Sequence, residues 1–218
     1  MNNVWNRIIY KAWSPFYDRI FNQGVFLHAR RSVFEPIMFP PGSKVLFVGV
    51  GTGADLLLLD KTNISITATD ISLSMLSKAK EKVKQHPSIS FLEMDAQQLH
   101  FEDGTFDFVI ASLILSVVPD ANRCMQEMIR VVKPSGNIII FDKFMPESGR
   151  ISFVKRLMIP IVRLLGTDIS RSFEAISSPH ADKVVIKEDT PILFKGMYRK
   201  IVCERLADAP LLIHDLRA

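Results

Sequence analysis

From Lys44 onward, short runs rich in valine and isoleucine alternate with stretches whose apolar residues recur at helical spacing. This alternation is the strongest constraint on the fold, because strands joined through helices run parallel and a parallel sheet buries both faces. The runs predict strands at Lys44 to Gly49, Ser65 to Asp70, Ile89 to Met94, Phe106 to Ser112 and Asn137 to Lys143. Helices are expected at Ala54 to Leu59, Ser72 to Gln85 and Ala121 to Val132, the last stopped by a turn at Lys133, Pro134, Ser135 and Gly136. Two later runs, Lys183 to Glu188 and Lys195 to Arg205, predict a closing antiparallel hairpin. The expected fold is α/β, with a seven-stranded, mainly parallel sheet covered by helices.

A chain of 218 residues, 48% of them apolar, suits one well-buried domain over residues 1–218 and is short for two. Cys124 and Cys203 lie far apart without metal-ligand spacing, which fits reduced thiols in a cytoplasmic protein. The five histidines, His28, His86, His100, His180 and His214, have no paired metal spacing either, so no metal is expected. His180 follows Pro179 in an expected loop and is kept as a candidate near an acceptor. The N-terminus lacks the pattern of a signal peptide, and no run reaches the ~20 apolar residues that span a bilayer. A net charge of +4 permits an anionic partner. Nucleic acid is not expected, since the basic residues are scattered and lack interleaved stacking aromatics.

Two segments exceed what a wound sheet needs. One is residues 1–39, where Trp5, Ile8, Ile9 and Trp13 lie among Arg7, Lys11 and Arg19; the other is Arg150 to Arg171, a basic amphipathic insertion in the core of residues 40–218. Each reads either as packing over the domain, the first as an N-terminal helical lid, or as a surface that meets anionic membrane.

The first strand ends in Gly49-Val50-Gly51-Thr52-Gly53, a turn whose backbone can approach a ligand without Cβ obstruction. With Ala54 it also satisfies the dinucleotide fingerprint, so NAD or FAD competes for this turn. The second strand ends at Asp70, at the distance of a ribose-binding carboxylate, and the third is followed by Asp95 and Ala96, where a carboxylate can accept from an adenine amine. Two successive acidic strand ends favour an adenosine without a pyrophosphate.

These stretches, with "TDIS" (Thr69 to Ser72) before Met75-Leu76, "MDAQQL" (Met94 to Leu99), "FEDGTFDFVIAS" (Phe101 to Ser112) and "RVVKPSGNIII" (Arg130 to Ile140), resemble the class I S-adenosylmethionine-dependent methyltransferases from Lys44 to Phe144. The resemblance implies a Rossmann-like fold and S-adenosylmethionine as cofactor. It also implies a binding set of Gly49, Val50, Gly51, Thr52, Gly53, Asp70, Ile71, Met75, Asp95, Ala96 and Ser112. In it Asp70 holds the ribose, Ile71 and Met75 flank the adenine, Asp95 and Ala96 meet its edge, and Ser112 lies near the methionine part. Phe47 departs from the family, which usually has Glu or Asp two residues before the first glycine. Either Asp55, Thr52 or a water replaces that carboxylate, or cofactor affinity is weaker, or the chain is a noncatalytic cofactor-binding protein.

Three further stretches, Trp13 to Arg31, Ser116 to Gly136 and Phe141 to Gly149, look like parts of the soluble bacterial phosphatidylethanolamine N-methyltransferases. That likeness implies methyl transfer to a lipid headgroup amine. Tyr17 then serves as the catalytic candidate that caps the pocket or touches the headgroup, and the location is cytoplasmic, peripheral on the inner face of the membrane. Asp142-Lys143 stands where that subfamily often has Asn-His. The alternative acceptors are a soluble metabolite or a quinone-like ring; the sequence leaves the oligomeric state open.

Overall fold

The first strand, β1 (Lys44–Val48), reads Lys-Val-Leu-Phe-Val, and every residue after Lys44 is buried. A strand apolar on both sides belongs in the middle of a sheet covered on both faces, and β1 is there. The computed structural model describes residues 23–84, 86–145, 168 and 170–207. Its sheet adds β2 (Ser65–Asp70), β3 (Ile89–Glu93), β4 (Phe106–Ser112), β5 (Val132–Lys143), β6 (Val184–Leu193) and β7 (Tyr198–Arg205), in the order β3-β2-β1-β4-β5-β7-β6. The first five strands are mutually parallel, while β7 runs antiparallel to both β5 and β6. Strand order reverses between β1 and β4, which opens a crevice outside their carboxyl ends.

The described helices are α1 (Gly24–Phe34), α2 (Leu73–Lys82), α3 (Ala121–Val131) and α4 (Phe173–Ser177). Ser72, Asp120 and Ser172 cap the last three, each side chain accepting from a backbone N–H of the first turn. On one face of the sheet α3 and α4 bury Cys124, Met125, Met128 and Phe173 against Leu46, Val109, Ile138 and Ile140. On the other face α1 and α2 bury Val33, Phe34, Leu76 and Ala79 against Val45, Phe47, Ile66, Ile110 and Phe141. Burial pushes the Cys124 thiol far up and that of Cys203 up to about 12, so both are inert packing groups.

Several boundaries differ from the sequence expectation for local reasons. The helix expected at 54–59 is only a 3-10 turn over Asp55–Leu57, after which the Lys61 ammonium donates to the Leu56 and Leu59 carbonyls. α2 stops at Lys82 rather than Gln85, with Lys84 in a left-handed conformation. The turn expected at 133–136 is instead an irregularity inside β5, which begins at Val132 and shifts register between Phe106 and Phe108 of its neighbour. Gly136 is required there, since a Cβ would stand 2.8 Å from the Asp107 carbonyl oxygen. The hairpin strands run from 184 to 193 and from 198 to 205, and Pro191 is tolerated because β6 is an edge strand. Of the proposed lid, residues 24–34 form α1, a part of the core; residues 1–22 and most of the 150–171 insertion lie outside the described residues.

Candidate functional site

The crevice at the strand-order reversal is a narrow cleft enclosing about 680 Å³, counted to its open mouth. Its floor is the glycine turn after β1. Val50 N–H donates to the Thr69 carbonyl (2.8 Å) and Gly53 N–H to the Val50 carbonyl (3.0 Å), which folds the turn back over β2. Gly53, at φ +74°, lies against α2: a Cβ there would stand 2.9 Å from the Ala79 Cβ. Gly51 is the opposite case, for among the described residues no atom beyond its own chain neighbours lies within 4 Å of the place its Cβ would take. The turn is thus packed tightly at its end and left open at its centre.

Asp70 closes the acidic side. Its two carboxylate oxygens accept from Gly51 N–H and Ser72 N–H, both at 2.9 Å. Burial pushes the carboxyl up to about 6, an effect only partly offset by these amides and that of Ile71. Asp95, beyond β3, accepts from the backbone N–H of Gln97 (2.9 Å) and from its side-chain amide (3.0 and 3.2 Å). Ile71 and Met75 supply an apolar wall near Asp70, and Leu113, Ile114, Val117 and Val118 supply the facing one. Between them Ser112 ends β4, its buried hydroxyl without a hydrogen-bond partner among the described residues.

Of the residues singled out by sequence, Gly49, Gly51, Asp70, Ile71, Met75, Asp95, Ala96 and Ser112 line this one cleft. Val50, Thr52 and Gly53 are buried behind it, where the Thr52 hydroxyl accepts from the Lys82 ammonium at 3.1 Å. Tyr17 lies outside the described residues. His180 is remote, in a polar groove with Arg130, Lys183 and Arg205. Phe47 is 1% exposed and packed in the core under α1 and α2, and its carbonyl accepts from the Thr69 hydroxyl at 3.0 Å. Asp55 does not face the cleft: it is buried in an ion pair with Arg30 of α1. Sequence reasoning missed that pair and the wall at 113–118, whose one signal was the apolar run continuing past Ser112.

At the end of β5, Asp142 and Lys143 are both buried, and Asp142 accepts from Ser116 N–H at 3.0 Å, bracing the 113–118 wall. Burial raises the Asp142 carboxyl and lowers the Lys143 ammonium. Among the described residues no three His, Cys, Asp or Glu side chains gather as a metal-ligand set, and no helix is long and apolar enough to cross a membrane.

These features fit an adenosine-bearing ligand: two strand-end acids, apolar slabs between them, an open glycine and an unpartnered hydroxyl. The Methyltransferase domain family matches residues 46–140. The phosphatidylethanolamine N-methyltransferase of Cereibacter sphaeroides is 33% identical over 192 residues, which is 87% of this chain and 92% of that protein. The demethylmenaquinone methyltransferase of Renibacterium salmoninarum is 32% identical over 139 residues, or 62% of this chain and 57% of that protein. Among solved structures, the PH0226 protein of Pyrococcus horikoshii OT3 superimposes with a TM-score of 0.63 at 22% identity, covering 88% of this chain and 98% of that one. A SAM-dependent methyltransferase of Methanosarcina mazei does so with a TM-score of 0.63 at 18% identity, covering 78% and 95%. Both share the fold.

Proposed function

Because the chain belongs to the class I S-adenosylmethionine-dependent methyltransferases, we propose that its acceptor is the headgroup amine of phosphatidylethanolamine, taken at a membrane surface. One observation carries this choice. The likeness to the Cereibacter sphaeroides enzyme extends over 87% of the chain, whereas that to the quinone enzyme covers 62%.

S-adenosylmethionine supplies an electrophilic methyl group on a sulfonium, so the protein's task is alignment and exclusion of water. On this reading Asp70 accepts from the ribose hydroxyls, Asp95 and the Ala96 backbone meet the adenine edge, and Ile71 and Met75 hold its faces. Gly49, Val50, Gly51, Thr52 and Gly53 shape the turn beneath, and the Ser112 hydroxyl turns to the methionine part. Tyr17 is the candidate to cap the cofactor pocket or touch the headgroup. An amine must shed its proton before attack, which a phenolic or carboxylate oxygen near the acceptor can assist. The basic, apolar segments at 1–31 and 150–171 meet anionic lipid through cations other than the buried Arg30 and the Arg171 that donates to the Leu115 and Val118 carbonyls, each contributing ~1 kcal/mol near the surface.

The test is incubation with methyl-labelled cofactor and vesicles of phosphatidylethanolamine mixed with phosphatidylglycerol, beside a demethylated quinone and a panel of soluble amines. Label in the lipid headgroup is the expected result. Label in the ring alone would replace this acceptor with the quinone, a reading that the apolar wall from Leu113 to Val118 also suits. Sedimentation with the same vesicles should decline steeply as salt is raised.

A further inference from the structure

The glycine turn is held from two sides. Toward β2 and α2 it is fixed by Asp70 on Gly51 N–H, by Lys82 on Thr52 and by the close contact of Gly53 with Ala79. Toward α1 its charged tie among the described residues is the Arg30 guanidinium donating to Asp55, two residues beyond Gly53. The two side chains are 5% and 8% exposed. Full charges this far from water persist only when they neutralise each other in good geometry, so the place of Asp55 depends on that of Arg30. Arg30 is in turn fixed by α1. Phe34 of that helix packs edge-on against Phe141, and Phe26 packs edge-on against Tyr198. Phe47, under the same helix, offers the turn no polar side chain.

We propose that the buried Arg30–Asp55 pair positions the glycine turn for its adenosine ligand, so that cofactor affinity depends on the seating of α1. Neither side chain lines the cleft; both act through the backbone from Gly53 to Leu57 and are positioning residues. The inference rests on the cofactor assignment and is independent of the acceptor, because it is read by binding of S-adenosylhomocysteine rather than by turnover.

Arg30→Gln, Asp55→Asn and the double variant are titrated with S-adenosylhomocysteine by calorimetry, well below their melting temperatures, and backbone hydrogen exchange is followed across residues 47–59. Each single variant breaks the charged tie between α1 and the turn and should weaken binding by about tenfold or more, with faster exchange confined to the turn. The double variant keeps two facing amides and no charge, and should return to within about threefold of the original affinity. Should a single variant fail to fold, Arg30→Lys takes its place, with weaker binding and faster turn exchange expected because the planar fork is lost. Folded variants with unchanged affinity and exchange overturn the proposal. So does a double variant no better than Asp55→Asn alone, which would mean that Asp55 acts on the turn independently of Arg30.

Discussion

Asp70 gives cofactor binding a pH dependence whose direction follows from its surroundings. With its carboxyl pushed up to about 6, the ligand-free protein carries the ionised form above that pH and the protonated form below it. Ribose hydroxyls donate best to a carboxylate, so binding draws on the ionised fraction. Affinity should therefore be flat from pH 7.5 to about 6.5 and then fall by a factor approaching ten per pH unit. At pH 5 the ionised fraction is about one in eleven, equivalent to ~1.4 kcal/mol of lost binding. Asp70→Asn should be insensitive to pH over this range and weaker throughout by ~1 to 3 kcal/mol, since the charged acceptor is gone and one of the Gly51 and Ser72 amides loses its oxygen. Calorimetric titration of S-adenosylhomocysteine from pH 5 to 7.5, in buffers of differing ionisation heat, measures both the affinity and the protons released. The same raised pKa favours the free folded state most below the ordinary carboxylate range, and that contribution is lost as pH rises through about 6. An affinity unchanged between pH 5 and 7.5, or an Asp70→Asn protein that binds as well as the original, would refute the reasoning.

Phe47→Glu should cost ~3 to 5 kcal/mol of stability rather than tighten the cofactor, because the side chain is sealed among apolar neighbours; thermal melting checks it. Gly53→Ala should destabilise by ~1 to 3 kcal/mol through its collision with Ala79 and its positive φ, whereas Gly51→Ala, at φ +55° but with no such collision, should cost only the ~1 kcal/mol of left-handed strain and lower product affinity by placing a methyl group in the cleft. Neither Cys124 nor Cys203 should react with a thiol reagent in the native protein at neutral pH, and both should react on unfolding, as mass spectrometry can show.

What sequence could reveal divides along physical lines. The parallel strands are legible because Val45 to Val48 and Phe108 to Ala111 are continuous apolar runs, and the cleft because its glycines and acids sit at strand ends, where order along the chain dictates place in the sheet. In sequence α1 reads as part of a lid, since a helix carrying Val33 and Phe34 on one side looks the same whether it covers a pocket or a core. Arg30 reads in sequence as one more basic residue of that segment. Its burial depends on a carboxylate 25 positions away, which no local periodicity encodes. The question at Phe47 is likewise one of tertiary context: sequence marks it as a departure from the family's carboxylate, and only the packing of Phe47 with Phe34 and Phe141 in one cluster shows what it serves.

The place of β7 between β5 and β6 has a consequence for how the chain is made. Strands β1 to β5 leave the ribosome in order, and each after the first can pair with a strand already synthesised. The outer edge of β5, from Asn137 to Lys143, must wait for Tyr198 to Glu204. Until then a nascent chain exposes a long apolar edge with unpaired backbone donors and acceptors, the kind that joins a second chain as readily as its own missing strand. A protein truncated before residue 198 would keep its glycine turn and both acidic strand ends, and would be expected to aggregate before it could use them.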